Sequence, residues 1–557
     1  MMNANALRRT GIGLFLACSL ASALATLEAV QEPAPPAATA DAACLALTRL
    51  RNLTITHASL EVLGKSTERY CYVKGTISPA IQYHVQLPLG EKWNGRFLTL
   101  GDGGKDGDLD YADARVAEGY AVANSNTGHD NGSEPGASFA FNNRQAEIDF
   151  GYRAVHLTVN AAKTIVNAYY NKPATRAYFE GCSQGGRQGL MEAQRFPDDF
   201  DGIVAGAPVN FYQQHTAAKV WMLQRVFMND FAGNLAFDTN GDRVPDSLTK
   251  LEMLRKAVLA KCDAADGITD GVIDDPTRCN FKPDIDLAGQ MCPGDANADA
   301  CFTRAQIERI KEIYAGPHDS KGARVFKGQA LGSERGWPAS FIPHAGNNLT
   351  PGSVIVAADN MNYLFYEHDP GVTMSDPTDL SKTPNTKVNP PEFAWWQFNI
   401  DDVTAGKGDF MMGITDATDP DLTRFLKDRR GKLILYHGWS DAQAHPEPTL
   451  DHYNNIVAQT FQGNMEGARN HVRLFMAPGM AHCGGGVGPH AWDRLAPLVA
   501  WVENGQAPDY VVAAHRTGDK VDNERKICAY PQRAVYAGPA GAQNDPTNWV
   551  EKNFVCR

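Results

Sequence analysis

The sequence lacks several features that mark other classes of protein. Beyond the N-terminal segment no uninterrupted apolar run reaches about 18 residues, so we expect no internal membrane span. No long run of lysine or arginine occurs and the formal net charge is -12, so we expect no nucleic-acid partner. No Cys-x-x-Cys pair, zinc-like histidine cluster or internal repeat is present. The 557 residues include 43% hydrophobic ones, which is enough for a large core.

Residues 1–25 have the pattern of a cleavable signal peptide. Arg8 lies in a positively charged start, residues 12–24 are apolar, and small residues form a cleavage pattern at the end. A lipoprotein anchor at Cys18 is the alternative, but the residues before Cys18 match a lipobox poorly. A Pro/Ala-rich linker is predicted over 26–43. We therefore expect a secreted or periplasmic protein.

The cysteine count supports export. Cys18 would leave with the signal peptide, and ten cysteines remain. An even number in an exported chain predicts five disulfides. The ten are Cys44, Cys71, Cys182, Cys262, Cys279, Cys292, Cys301, Cys483, Cys528 and Cys556.

Four apolar segments predict buried strands that run into polar or glycine-rich loops. They cover residues 96–100, 176–180, 432–436 and 472–476, and a helical pattern covers 153–170. Alternating strands and helices predict an α/β fold with a mainly parallel sheet flanked by helices. Ligands of such sheets bind at the carboxyl ends of the strands, where all four loops begin.

A long central segment has a different composition. Residues 211–428 contain Asp-rich turns, many Pro and Gly residues, aromatic clusters and two close cysteine pairs. We interpret this segment as one large inserted lid domain. The sheet domain is then built from residues 44–210 and 429–557.

A Gly-x-Ser-x-Gly motif at 181–185 has Ser183 at its centre, after a predicted strand and before a predicted helix. It predicts a nucleophile elbow, a sharp turn that exposes the serine at the N-terminus of a helix. We expect the N–H of Gln184 to be one oxyanion donor, and that of Gly103 or Gly104 to be the second. A glycine-rich turn with a capping serine is the alternative.

The chain order Ser-Asp-His is expected for such an elbow and selects Asp441 and His482, each just after a predicted strand. His482 would take the proton of Ser183, and Asp441 would orient the imidazole and stabilise its cation. The rivals are His437 and His445 for the base and Asp451 for the acid.

Two cysteines connect the candidate nucleophile and base. Cys182 immediately precedes Ser183, and Cys483 immediately follows His482. If serine and histidine touch, their neighbours are close enough for a disulfide. We predict this bond; two free buried cysteines are the alternative.

Residues 262–272 (CDAADGITDGV) predict a calcium loop. The expected ligands are the carboxylates of Asp263, Asp266 and Asp270 and the carbonyls of Ile268 and Val272. The carboxylates have no basic neighbour in the segment, so we expect them to repel one another unless a cation binds. Cys279 is expected to pair with Cys262 and close the loop. An Asp/Gly surface turn is the alternative.

A second acidic segment begins like an EF-hand loop, with Asp238, Asn240 and Asp242, followed by Asp246. Its twelfth position is Thr249, where a bidentate glutamate would be expected. We interpret it as an Asx-turn, and leave a second ion as the alternative.

Taken together, these motifs resemble the tannase/feruloyl esterase family, which includes bacterial mono(2-hydroxyethyl) terephthalate hydrolases. The matching pieces, between about 95 and 485, are GCSQGGRQ at Ser183, CDAADGITDGVIDDP, CFTRAQ at Cys301, HGWSD at Asp441 and HC at His482. The resemblance implies an α/β-hydrolase fold with a lid, a structural Ca²⁺ on the ligands named above, and hydrolysis of phenolic or aromatic acid esters. It also implies the pairs Cys44–Cys71, Cys292–Cys301 and Cys528–Cys556.

We therefore expect a secreted serine esterase that cleaves small aromatic esters through an acyl-enzyme. Trp395 and Trp396 are candidates for packing the acyl ring, with ordinary lid core as the alternative. Arg335 is available to bind a terephthalate acid group. Other hypotheses are a mono(2-hydroxyethyl) terephthalate-type hydrolase, a serine peptidase and a non-catalytic calcium-dependent binding protein. The natural acyl group and the oligomeric state are left open.

Overall fold

Strands and helices alternate over most of the chain, as the sequence predicts. The computed structural model describes residues 39–64, 68–227, 231–366 and 395–557. Its strands are β1 (Thr54–Val62), β2 (Arg69–Ile77), β3 (Ile81–Pro88), β4 (Arg96–Leu100), β5 (Ala121–Ser125), β6 (Arg176–Cys182), β7 (Gly202–Gly206), β8 (Lys432–Gly438), β9 (Val472–Ala477), β10 (Tyr510–Thr517), β11 (Lys520–Cys528), β12 (Ala534–Tyr536) and β13 (Phe554–Cys556).

The helices are α1 (Ala40–Ala46), α2 (Asp113–Ala117), α3 (Arg144–Ile148), α4 (Ala154–Tyr170), α5 (Gln184–Arg195), α6 (Tyr212–Phe227), α7 (Thr249–Cys262), α8 (Pro283–Asp286), α9 (Arg304–Ala315), α10 (Trp337–Ser340), α11 (Asp401–Thr404), α12 (Asp409–Thr415), α13 (Pro446–Thr460), α14 (Met465–Arg469) and α15 (Leu495–Asn504). The predicted signal peptide lies outside the described residues, as does the linker prediction up to residue 38. The last residues assigned to that linker, 40–43, are helical in α1.

A nine-stranded sheet positions the site, with strand order β1-β2-β3-β5-β4-β6-β7-β8-β9. The strands from β5 through β4, β6, β7 and β8 to β9 are parallel neighbours, whereas β1, β2, β3 and β5 pair antiparallel. The four predicted strands become β4, β6, β8 and β9, and each begins at the predicted residue. Their carboxyl ends therefore lie along one edge of the sheet. This is the α/β-hydrolase arrangement that the sequence predicts.

The two faces of the sheet carry separate apolar cores, because side chains alternate between faces along each strand. One core includes Phe97 and Phe179 and packs against α4 and α5. The other includes Leu98 and Tyr178 and packs against α15. Because the parallel strands are buried on both faces, their sequences are continuous apolar runs.

The segment between β7 and β8 is an insertion, since these strands are hydrogen-bonded neighbours in the sheet. It has a core of its own, formed by residues of α6, α7 and α9 and by aromatic side chains such as Trp337 and Trp395. The inserted segment predicted over 211–428 is thus present between the expected strands. Its role as a lid stays a prediction.

Candidate active site

Ser183 occupies the sharp turn between β6 and α5. Its backbone has φ 63° and ψ -120°, a left-handed conformation that costs energy in a residue with a side chain. The turn is held by hydrogen bonds at both peptide groups: the Ser183 N–H donates to Gly206 O at 2.9 Å, and the Arg187 N–H donates to Ser183 O at 3.1 Å. This is the geometry expected of a nucleophile elbow.

Small residues around the turn allow α5 to approach the sheet. A Cβ on Gly186 would lie 2.3 Å from Gly206 O, and a Cβ on Gly185 would lie 2.8 Å from the backbone of Gly101. Only glycine fits these contacts, so Gly185 of the motif and the following Gly186 set how close the helix N-terminus lies to the strand ends.

His482 and Asp441 form a direct pair. His482 Nδ1 lies 2.7 Å from Asp441 Oδ2, and the imidazole remains partly exposed whereas the carboxylate is fully buried. Asp441 Oδ1 accepts from the N–H groups of Gln443 and Ala444, both at 2.8 Å. Burial opposes ionisation, but the two histidines beside Asp441 outweigh it and hold its pKa well below the usual range. An ionised Asp441 can orient and stabilise a histidine cation.

The predicted disulfide joins this pair to the elbow. Cys182 and Cys483 are bonded, with their Cα atoms 5.9 Å apart across a sequence separation of 301 residues. The other four expected pairs are also formed: Cys44–Cys71, Cys262–Cys279, Cys292–Cys301 and Cys528–Cys556.

The rival residues lie in other environments. His437 is fully buried behind Asp441, with Nε2 3.2 Å from Oδ2 and 3.1 Å from Ala444 O. His445 is buried against Gln329 and the Lys327 carbonyl. Asp451 pairs with Lys327 at 3.2 Å instead of with a histidine. None of the three is among the described residues that line the cavity shared by Ser183 and His482.

That cavity has a volume of about 370 Å³, a size that accommodates a small aromatic ligand. Ser183 and His482 line it together with all three candidate oxyanion residues, Gln184, Gly103 and Gly104. The Gly103 N–H already donates to Asp102 Oδ1 at 2.7 Å, whereas the Gly104 N–H has no acceptor among the described residues.

Two buried lysines in the cavity wall were missed by sequence reasoning. Lys105 donates to Tyr212 Oη at 2.8 Å and to Asn360 Oδ1 at 3.0 Å. Lys219 donates to two serine hydroxyls. Burial lowers the pKa of Lys105 to about 7 and that of Lys219 to about 8. The one local signal is the apolar surroundings of Lys219 in the AAKVW stretch of α6.

The candidate substrate-contact residues lie away from the described lining of this cavity. Trp395 is buried in the core of the insertion, with its ring 5.6 Å from Phe227 and edge-on to it, and Trp396 packs beside it. Neither is among the described residues that line the Ser183 cavity. Arg335 lines a different cavity, beside Arg255 and Val272. Their placement depends on packing between distant elements, which composition does not encode.

The predicted calcium ligands lie in the loop after α7. Asp263 accepts from the N–H groups of Asp270 and Gly271 at 3.1 and 3.0 Å. Asp266 Oδ2 is buried and has no hydrogen-bond partner among the described residues, and there the carbonyls of Ile268 and Val272 accept no hydrogen bond either. Oxygen atoms left without donors in a buried acidic loop fit a hard cation such as Ca²⁺.

The segment itself contains no basic residue, but the fold brings one to these carboxylates from a distant strand. Arg525, on β11, is fully buried beside the loop, 3.7 Å from Asp266 Oδ2 and 3.6 Å from Asp270 Oδ2, and 3.1 Å from Asp274. Burial nevertheless raises the pKa of Asp270 to about 6, with Arg525 acting in the opposite direction. Three carboxylates face one guanidinium, so room for further positive charge remains.

The second acidic segment has the contacts of Asx-turns. Asp238 accepts from the N–H groups of Asn240, Gly241 and Arg243, and Asp246 accepts from Thr239. These carboxylates satisfy the local backbone, as the Asx-turn interpretation expects.

A further group of side chains that could ligate a metal comprises His156, Glu192 and Asp199. His156 Nδ1 lies 2.6 Å from Asp199 Oδ2, and Lys163 Nζ donates to the Asp199 carbonyl. Lys163 therefore supplies positive charge beside this acidic cluster.

The fold and the elbow define the class, an α/β-hydrolase. Comparison with known proteins supports a narrower assignment: residues 61–548 match the family model described as tannase and feruloyl esterase. The chain belongs to this family, and it is a carboxylic ester hydrolase. Ester hydrolysis, rather than peptide hydrolysis or binding without catalysis, is thus the activity that the family assigns.

Individual relatives cover most of the chain. Mono(2-hydroxyethyl) terephthalate hydrolase of Piscinibacter sakaiensis is 33% identical over 535 residues, covering 87% of this chain and 84% of that protein. A probable feruloyl esterase of Arthroderma benhamiae is 32% identical over 481 residues, covering 83% and 81%. The crystal structure of feruloyl esterase B from Aspergillus oryzae has a TM-score of 0.76 at 24% identity, covering 93% of this chain and all of that one, which shows the shared fold.

Proposed function

We propose that this protein is a secreted serine esterase that hydrolyses esters of aromatic or phenolic carboxylic acids, with Ser183 as nucleophile, His482 as base and Asp441 as the orienting acid. The observation that carries the proposal is the Cys182–Cys483 bond. It joins the neighbours of Ser183 and His482, while the 2.7 Å contact with Asp441 fixes the imidazole. The relatives named as feruloyl esterases support an aromatic acyl group.

The mechanism follows from these positions. With Nδ1–H donated to Asp441, His482 keeps Nε2 free to accept the Ser183 proton as the oxygen attacks the ester carbonyl. The negative charge that develops is stabilised by the Gln184 N–H at the start of α5 and by the N–H of Gly103 or Gly104. His482 then protonates the leaving alcohol, and water repeats the attack on the acyl-enzyme.

Replacing the nucleophile tests the mechanism. Ser183→Ala is expected to lower kcat/KM for a chromogenic aromatic ester by about 10³-fold or more, because loss of one triad member disables the whole unit. Far-ultraviolet circular dichroism and the melting temperature check that the variant folds. Activity within about tenfold of the parent would reject Ser183 as the nucleophile.

We propose further that the loop at 263–272 binds a structural Ca²⁺ through Asp263, Asp266, Asp270 and the carbonyls of Ile268 and Val272. Asp266 Oδ2 is buried and accepts no hydrogen bond among the described residues, which supports this assignment. The ion would supply positive charge that holds the loop together and takes no part in the ester chemistry, since none of these residues lines the Ser183 cavity among the described residues.

Secretion is part of the same proposal. Five disulfides are typical of proteins that fold in an oxidising compartment. No helix in the described part of the chain is long and apolar enough to cross a membrane.

A terephthalate monoester is the second candidate substrate, because a relative of this activity is 33% identical to the chain. Rates on matched feruloyl, galloyl and terephthaloyl esters decide between the candidates. A kcat/KM for the terephthaloyl ester at least tenfold above the others would favour the second.

A further inference from the structure

We infer that Lys219 is a specificity-determining residue that binds an acidic oxygen on the acyl half of the ester, a carboxylate or a phenolate. The inference rests on the proposed hydrolysis at Ser183 and concerns the same cavity. Lys219 projects from α6 into the wall of the cavity, which Ser183 and His482 also line.

Lys219 has no counter-ion among the residues that the structure describes. Its ammonium donates to Ser340 Oγ at 3.2 Å and to Ser353 Oγ at 3.4 Å, which are neutral acceptors. No carboxylate among the described residues lies within ion-pair distance of it. An ammonium has three donors, so at least one remains available to a ligand. A buried cation without an anionic partner is costly, and an anionic ligand would remove that cost.

The nearby carboxylate whose charge affects Lys219 already accepts hydrogen bonds from other groups. Asp441 favours the charged form of Lys219 by electrostatic attraction. The four acceptor positions of Asp441 are, however, already used: Oδ1 accepts from the N–H groups of Gln443 and Ala444, and Oδ2 accepts from His482 and His437. Asp441 therefore cannot also serve as the direct partner of the lysine.

The second lysine of the cavity differs in this respect. Lys105 is hydrogen-bonded to Tyr212 and Asn360, and the nearby Asp359 carboxylate favours its charged form. Lys219 is thus the cation that a substrate anion would neutralise. Arg335, the residue available from the sequence for this role, lies in another cavity.

Matched esters test the inference. One pair is methyl 4-carboxybenzoate and its neutral isostere methyl 4-carbamoylbenzoate; the other is methyl 4-hydroxycinnamate and methyl 4-methoxycinnamate. In the parent we expect the acidic member of at least one pair to have the higher kcat/KM. Lys219→Met should lower kcat/KM for that acidic ester by about 10- to 100-fold, through KM, with little change for the neutral partner.

Lys219→Arg is the matched control, because it keeps the charge and should retain the preference for the acidic ester. The pair that responds identifies the group as carboxylate or phenol. An equal loss on all four esters would assign Lys219 a structural role and overturn the inference, and so would an unchanged preference. If Lys219→Met fails to fold, the same comparison is made with Lys219→Gln. If the parent hydrolyses neutral esters and replacing Lys219 changes nothing, the role of Lys219 is rejected but the proposed esterase activity is retained. If the parent hydrolyses none of the esters, both the esterase activity and the role of Lys219 are rejected.

Discussion

Two histidines share one carboxylate oxygen at Asp441. His482 Nδ1 and His437 Nε2 lie 2.7 and 3.2 Å from Oδ2, and the backbone N–H groups of Gln443 and Ala444 hold the other oxygen. Four donors around one buried carboxylate keep it ionised and fix its orientation, so it can in turn fix the imidazole that reaches the cavity. Because His482 is partly exposed whereas His437 is fully buried, His482 is the candidate base and His437 supports Asp441.

At the same scale, Asp266 decides whether the acidic loop holds a metal. Asp266→Ala is expected to lose bound calcium and to lower the melting temperature, because the variant removes a ligand carboxylate. At a free calcium concentration about 100-fold above Kd, binding adds about 2.7 kcal/mol to stability, and this increment should disappear. Metal analysis of the purified protein and thermal melts with and without EDTA measure both effects.

Asp242→Ala is the control for this prediction, since Asp242 lies in the second acidic segment and accepts from the Val244 N–H. It should retain the metal content of the parent. Unchanged metal content in Asp266→Ala, or equal loss in both variants, would reject the assignment to the loop at 263–272.

At the scale of elements, the contact of α5 with β7 positions the nucleophile. The helix lies so close to the strand that Gly186 faces the Gly206 carbonyl directly. This approach brings the helix N-terminus, with its free N–H groups, to the carboxyl ends of the strands, where the oxyanion would form. The elbow motif is therefore also a packing motif.

Gly186→Ala tests this contact. The added Cβ would lie 2.3 Å from a backbone oxygen that cannot move without shifting β7. We expect a loss of about 1–3 kcal/mol in the free energy of unfolding, together with reduced kcat as Ser183 is displaced. Urea denaturation and ester turnover measure the two effects.

Gly413→Ala is the matched control, at an exposed position of a helix. Gly413 lies in α12 with open space around its Cβ position, so alanine should gain up to about 1 kcal/mol from helix propensity alone. A Gly186→Ala protein as stable as Gly413→Ala would show that α5 can move away from the sheet.

At the scale of the whole molecule, Cys182–Cys483 closes the longest covalent loop among the five disulfides. It spans 301 residues, including the entire insertion, whereas Cys292–Cys301 spans 9 within the insertion. Chain-entropy arguments give a disulfide that closes a longer loop a larger stabilisation, about 3 kcal/mol for 15 residues and about 4.7 for 100. The long loop also joins the two halves of the site.

Removing each disulfide separates these effects. Cys182→Ser with Cys483→Ser is expected to lower both stability and kcat/KM, because the loop that carries His482 is no longer tied to the elbow. Cys292→Ser with Cys301→Ser should cost less stability and leave kcat/KM near that of the parent. Thermal melts and ester assays of the two double variants provide the comparison; parent-like activity without Cys182–Cys483 would contradict the positioning role.

Sequence by itself determined what depends on local pattern. The starts of β4, β6, β8 and β9 followed from apolar runs, because strands of a parallel sheet are buried on both faces. The elbow at Ser183 followed from a motif in which glycine is required at fixed positions. The pairing of Cys182 with Cys483 was also predicted, because each cysteine adjoins a residue that chemistry would bring together.

Only the tertiary structure decided what depends on contacts between distant segments. Arg525 reaches the acidic loop from β11, Lys219 reaches the Ser183 cavity from α6, and Trp395 turns into the core of the insertion. The AAKVW stretch signals that Lys219 is buried but not which cavity it reaches, and all three residues acquire their roles from the elements that pack around them. Periodicity and motifs report the backbone and its immediate neighbours; burial and electrostatic partners are properties of the folded chain.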